Sequence, residues 1–227
     1  MSFGKIKISK LLRLTLFFFI IAFMIFLSLL IKYKNIHQLW SPPPQELPQN
    51  YGINSAIYYY SHDIEKLAKK YNLSYDYLMA LIMLETSGKP EPKPRFEPSI
   101  YKKLLLLKQG KIKKFETITP DQVKHLSKRQ LRKLASSWGP FQIMGYKALE
   151  MNIPLSYLNN RHALEYGVLW IDKDYGWLIR QHRFKDAFHY HNTGKLYPKN
   201  NKPLTTDPDY VQRGLTYMKI FHNLKHK

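Results

Sequence analysis

Residues 74–88, SYDYLMALIMLETSG, constrain the fold more than any other stretch. Ser74 is a good helix N-cap, and from Tyr77 to Leu84 apolar side chains fall on nearly every face. A helix that is apolar all round must be enclosed by other elements, so this one belongs at the centre of a core. It ends at Glu85, and the chain then breaks at Ser87, Gly88 and Pro90. A carboxyl held against an apolar wall is desolvated, which disfavours its charged form and suits a general acid working near neutral pH. The bland alternative is a glutamate that ends its helix in water.

The rest of the soluble sequence also reads as helices. Ser61 is a candidate cap, followed by the stripe Ile64, Leu67, Ala68 and Tyr71, with lysines off it. Thr119-Pro120-Asp121-Gln122 combines a cap, a first-turn proline and a capping-box glutamine, so a helix starts near Pro120. Residues 160–182 read as one long helix interrupted by Gly167 and Gly176. Asp207-Pro208 precedes a final stripe of Val211, Leu215, Met218 and Leu224. Period-two alternation is lacking throughout, so the expected class is mostly α.

Ahead of this lies a different kind of sequence. Residues 14–31 are eighteen positions without a charge, about the minimum for a membrane span, and Lys5, Lys7, Lys10 and Arg13 precede them. The segment that follows has no small-residue cleavage pattern, which favours a retained anchor over a signal peptide. The expected organisation is a cytoplasmic tail (1–13), a transmembrane helix (14–31), a Pro-rich juxtamembrane linker (32–60) and a folded domain (61–227) on the extracytoplasmic, periplasmic side of the inner membrane.

Charge and composition narrow the chemistry. The chain carries 36 Lys and Arg against 16 Asp and Glu, a net +20, so anionic polymers and surfaces are natural partners. With no cysteine, disulfides, thiolate metal sites and cysteine nucleophiles are excluded. His182, His189 and His191 do not match a metallohydrolase spacing, so no metal or cofactor is expected. The basic runs in residues 102–133 would suit nucleic acid, but the expected topology puts them outside the cytoplasm. A second carboxylate, Glu97, follows a proline-rich turn; it is either a partner to Glu85 across a cleft or the salt-bridge partner of Arg95.

Four motifs occur in a telling order. Residues 71–88 resemble the catalytic helix of the lysozyme-like superfamily, in particular the lytic transglycosylases. SSWGPFQIMG (136–145) resembles the glycine- and glutamine-bearing motif of those enzymes, YHNTG (190–194) their Tyr-Asn-Ala-Gly motif, and DPDYVQRGLTYM (207–218) their late Tyr-Val segment. The pairing of ETSG, RFE and SWGPFQIMG is also similar to that of N-acetylmuramidase-type phage endolysins. The resemblance implies a lysozyme-like helical domain that cleaves the β-1,4 bond between N-acetylmuramic acid and N-acetylglucosamine in peptidoglycan. Glu85 takes the place of the catalytic acid/base, and Glu97 that of an assisting carboxylate in a hydrolytic version. Ser137, Trp138, Gly139, Phe141, Gln142, Ile143, Met144, Tyr190, His191, Asn192, Gly194 and Tyr210 take cleft positions, with His191 standing where the family has Tyr. A non-catalytic glycan-binding module of the same fold is the other reading. A regulatory or secretion-apparatus partner would suit such an enzyme, and no residue names it.

Overall fold

A computed structural model of the chain describes residues 23–24 and 52–226. The chain divides into a unit spanning Met1–Glu46 and one spanning Leu47–Lys227, and the described residues fall almost wholly in the second. The expected membrane span lies outside the described residues except for Phe23 and Met24; among the described residues no helix is long and apolar enough to cross a membrane.

The described part is mostly helical. Helix α1 (Ile53–Tyr71) leads into α2 (Tyr75–Thr86), where Ser74 Oγ accepts the Tyr77 N–H at 3.2 Å as the sequence leads one to expect. The residues Tyr77 to Ile82 of α2 are fully enclosed. They are covered by α1, by α8 (Phe184–Thr193) and by α9 (Tyr210–Lys225), while α7 (Ala163–Arg180) closes the far side against α1 and α8. At Gly214 of α9 a Cβ would lie 2.9 Å from the Phe188 ring and 3.0 Å from Leu84, so the missing side chain is what lets these helices close on each other.

Two expectations about boundaries need correction. Among the described residues helix already runs from Ile53, ahead of the expected Ser61, and Ser61 is not a cap but a mid-helix residue whose hydroxyl pairs with the Tyr75 hydroxyl at 2.8 Å. The reason lies in the turn after α2. Gly88 sits at φ 74°, and a Cβ there would meet the Gly52 carbonyl at 2.6 Å and the Ala56 nitrogen at 2.9 Å. Ser55 Oγ donates to the Gly88 carbonyl at 2.6 Å, and the Tyr60 hydroxyl donates to the Lys89 carbonyl. The extra first turns of α1 are held by the end of α2, a contact that no local pattern reveals. Second, the helix expected over 160–182 runs from Ala163 to Arg180; it is kinked at Tyr175 (φ −141°), beside the expected break at Gly176, and passes Gly167 without one.

Between α2 and α7 the chain builds a smaller part with its own apolar centre. It contains α3 (Pro98–Lys108), α4 (Pro120–Val123), α5 (Lys128–Leu134) and a three-stranded antiparallel sheet. Strand β1 (Arg95–Phe96) pairs with β2 (Ser136–Trp138), and β2 with β3 (Ile143–Met144), in the register Arg95 to Ser137 and Trp138 to Ile143. The helix expected at Pro120 is a single capped turn, and a second capping box, Ser127 with Gln130, starts α5. Leu104, Leu107, Phe115, Ile118, Val123, Leu131 and Leu134 form one cluster. The basic stretch therefore folds around leucines, with its lysines outward. The remaining elements are α6 (Lys147–Glu150) and a 3-10 turn (Leu155–Leu158).

Candidate active site around Glu85

Glu85 lies in the last turn of α2, with one-tenth of its side chain exposed. Its Oε1 accepts a hydrogen bond from the Tyr210 hydroxyl at the first turn of α9. Burial raises the carboxyl from 4.5 to about 7, against the opposing pull of the Tyr210 hydrogen bond and the Arg95 charge. Tyr210 is itself pushed well above the ordinary phenol value by burial and by the carboxylate, so it stays a donor throughout the working pH range. Because Oε1 accepts from Tyr210, the acid proton belongs on Oε2.

His191, in the last turn of α8, comes within 3.7 Å of Glu85 Oε1 through Nε2. This is not an ion pair, because burial holds the imidazole down at about 4 and it is neutral near pH 7. A carbonyl can only accept, so the 3.1 Å contact between Nε2 and the Phe141 oxygen puts the ring proton on Nε2. Nδ1 then accepts from the Tyr175 hydroxyl at 2.7 Å, and Tyr175 accepts from Tyr77 at 3.3 Å. The usual order of acidity is thus inverted: the glutamate keeps its proton at a pH where the histidine has none to give.

Glu97 stands at the entrance to α3 and takes the Arg95 Nε–H at 2.9 Å, the salt-bridge arrangement rather than a free carboxylate. Its side chain is one-third exposed. Among the charges that act on Glu85, the described residues contribute no second carboxylate.

The SSWGPFQIMG motif forms the hairpin of β2 and β3. Gly139 has φ 72°, and a Cβ there would meet the Leu158 carbonyl at 2.7 Å, so this glycine lets the hairpin backbone approach the protein's own backbone closely. Gln142, also left-handed at φ 48°, braces the turn: its Nε2 donates to the Gly139 carbonyl at 3.1 Å and its Oε1 accepts from Ser137 Oγ at 2.7 Å. Phe141 and Ile143 point into the core, where neither side chain can touch a ligand, although the Phe141 carbonyl reaches His191. Met144 packs against the smaller apolar cluster. Tyr190 is half-buried beside Tyr175, at 5.6 Å between ring centroids. Asn192 is exposed, and Gly194 is the left-handed cap that ends α8, its N–H bound to the Tyr190 carbonyl at 2.8 Å.

Of the residues singled out in the sequence, then, His191 and Tyr210 converge on Glu85, and Trp138 and Gly139 face a different space. That space is a cleft of about 630 Å³ between Tyr59, Tyr60 and Asp63 of α1, the Pro90–Pro94 turn, the hairpin, and Asn159–Arg161. Trp138 commits its indole N–H to the Lys133 carbonyl at 2.9 Å. Sequence reasoning gave Tyr77 and Tyr175 no site role, although Tyr77 lies within the catalytic-helix motif, and it gave Arg95, in the RFE element, only the role of a partner to Glu97. His189 is a brace rather than a ligand, with Nδ1 on the Lys195 carbonyl at 2.7 Å and Nε2 accepting from the Leu204 N–H at 2.9 Å. No metal-binding cluster occurs among the described residues.

No protein-family model matches the chain, and neither does any curated protein sequence. Among solved structures, the chain is similar to the crystal structure of Burkholderia AP3 phage endolysin, at 16% identity and a TM-score of 0.47 over 72% of this chain and 71% of that one. At that identity and TM-score the likeness adds nothing to the chemistry, which stands on the contacts around Glu85.

Proposed function

We propose that the chain cleaves peptidoglycan glycan strands as a lytic transglycosylase, with Glu85 as the one acid and base. The observation that carries this reading is a single carboxyl, buried at a helix end, held by burial at about 7 and backed by the permanent donor Tyr210. Such a group holds a proton at neutral pH and can release it to a good acceptor.

The chemistry then runs in two halves. Glu85 Oε2 gives its proton to the oxygen bridging N-acetylmuramic acid and N-acetylglucosamine, the C1–O bond breaks, and the N-acetylglucosamine leaves with a 4-hydroxyl. The oxocarbenium-like muramoyl centre is closed by its own C6 hydroxyl, whose proton returns to the Glu85 carboxylate. One carboxyl suffices for both halves. Glu97, engaged with Arg95, fits the role of holding that arginine better than the role of a water-activating base. The cleft beside Trp138, which Glu85 itself does not line, offers aromatic faces and the amides of Asn159 and Asn160, a lining suited to acetamido sugars further along the same strand. The +20 charge suits a polyanionic wall. The reading includes an inner-membrane anchor at residues 14–31 with the enzyme on the periplasmic side.

The test is digestion of purified peptidoglycan by the full chain, with mass analysis of the products. Anhydro-muramic ends are expected. Reducing muramic ends would replace this reading with a hydrolytic muramidase in which Glu97 takes part. A folded Glu85→Gln variant should make neither product; binding without cleavage by the natural chain would make it a glycan-binding module.

A further inference from the structure

His191 has no assigned duty in the chemistry above, yet it is among the most constrained side chains in the molecule. Its ring is 6% exposed, and both nitrogens are engaged. The relay from Tyr77 to Tyr175 to Nδ1 leaves Nε2 as the protonated nitrogen, and the Phe141 carbonyl, fixed in the hairpin, agrees with that tautomer. Phe141 cannot retreat, because its ring already fills the place of a side chain at Gly167, 2.5 Å from where a Cβ would be. The Nε2–H therefore stands between two oxygens, 3.1 Å from the Phe141 carbonyl and 3.7 Å from Glu85 Oε1.

We infer that His191 is a positioning residue for Glu85, a neutral donor whose Nε2–H leans from the Phe141 carbonyl onto the carboxylate each time Glu85 has given up its proton. The inference rests on Glu85 being the acid of the proposed reaction. While Glu85 is protonated, its oxygens carry little charge and the Phe141 carbonyl is the better acceptor. Once the proton has gone to the leaving sugar, a buried carboxylate with only the Tyr210 hydroxyl donating to it, and Arg95 acting at a distance, attracts the nearest N–H strongly. The ring needs only a small tilt to answer, and no proton leaves the imidazole at any stage. A histidine in this place does what a phenol could do, but with a donor direction locked by the tyrosines behind it.

The other groups that act on Glu85 cannot substitute for it. From α2, α7 and α9 come Tyr77, Tyr175 and Tyr210, all held above the ordinary phenol value by burial, and from β1 comes Arg95, already bound to Glu97. None changes charge over the range in which Glu85 titrates, so a change in the Glu85 midpoint on altering His191 reports on their contact.

The experiment is a ¹³C NMR titration of the Glu85 carboxyl in the full chain, which needs no substrate and so succeeds or fails independently of glycan cleavage. His191→Phe keeps a ring and loses the donor; it should move the Glu85 midpoint up by about one to two pH units. His191→Gln, which retains an N–H, should return the midpoint most of the way. With peptidoglycan as substrate, His191→Phe should lower kcat, leave KM unchanged and shift the alkaline limb of the pH profile upward. An unmoved midpoint in folded His191→Phe, or a ¹⁵N spectrum of the natural chain with the proton on Nδ1, overturns the inference. Should His191→Phe fail to fold, Tyr175→Phe tests the same relay: the ¹⁵N pattern of His191 should lose its strong Nε2–H bias and the Glu85 midpoint should rise. If neither changes, the inference falls.

Discussion

Replacing Glu85 by glutamine should stabilise the fold, and by an amount that depends on pH in a defined way. The carboxyl is held at about 7 in the folded chain against 4.5 outside it. Between those values the folded chain binds more protons than the unfolded chain, so stability falls as pH rises through this window. At about 1.4 kcal/mol per pH unit the loss reaches about 3 kcal/mol by pH 8. Glutamine is neutral at every pH, keeps an oxygen for the Tyr210 hydroxyl and escapes that loss. His191 works in the opposite sense. Its midpoint drops from 6.5 to about 4 on folding, so its contribution is intact above 6.5 and fades as pH falls toward 4. In the natural chain the two slopes oppose each other between about 4.5 and 6.5, giving a shallow profile; Glu85→Gln exposes the rising histidine slope alone. Thermal melts at half-unit steps from pH 4 to 9, at one ionic strength, should show the variant pulling ahead with pH and levelling off above 8. A gap of about 3 kcal/mol corresponds to roughly 6–12 °C in Tm for a unit of this size. Two melting profiles that run parallel across the whole range would refute the idea that Glu85 is protonated by its surroundings.

Cleavage of peptidoglycan should fall by about tenfold per pH unit above the Glu85 midpoint near 7, as the acid empties, and a rate that keeps rising to pH 9 would contradict a proton donor at this position. Gly139→Ala should lose about 1–3 kcal/mol in urea denaturation, because the left-handed backbone resists a side chain and the new Cβ meets the Leu158 carbonyl; a neutral substitution would mean that the hairpin can shift away from that carbonyl.

The parts of this molecule that were legible in its sequence are those fixed by local pattern. Ser74 and the apolar run behind it announce α2, and the isolated Glu85 at its end announces itself by contrast with what precedes it. Tyr210 and His191 could be picked out through motifs, though not their distance from Glu85. What the sequence hides are contacts made across long stretches of chain. Tyr77 and Tyr175 are 98 residues apart, and nothing local marks either as the other's partner. The strands are two or three residues long, too short for alternation to register. The opening turns of α1 lie directly after a proline-rich stretch that argues for extended chain, and their partner is a glycine thirty-odd residues away. In the basic segment the lysines dominate the eye, while Leu104, Leu107, Leu131 and Leu134 recur at helical spacing beneath them. Gly139 and Gln142 take cleft positions in the motif resemblance, and their contacts are spent first on the hairpin itself.

The clamp between the two ends of the first helical pair has a mechanical meaning. Gly52, just ahead of the first turn of α1, stands within touching distance of Gly88, three residues beyond Glu85. A displacement of the first turn of α1 is therefore felt first at the turn that follows Glu85. The start of α1 and the Glu85 carboxyl are in effect opposite sides of one hinge pin, so a change at Gly52 should register at the acid.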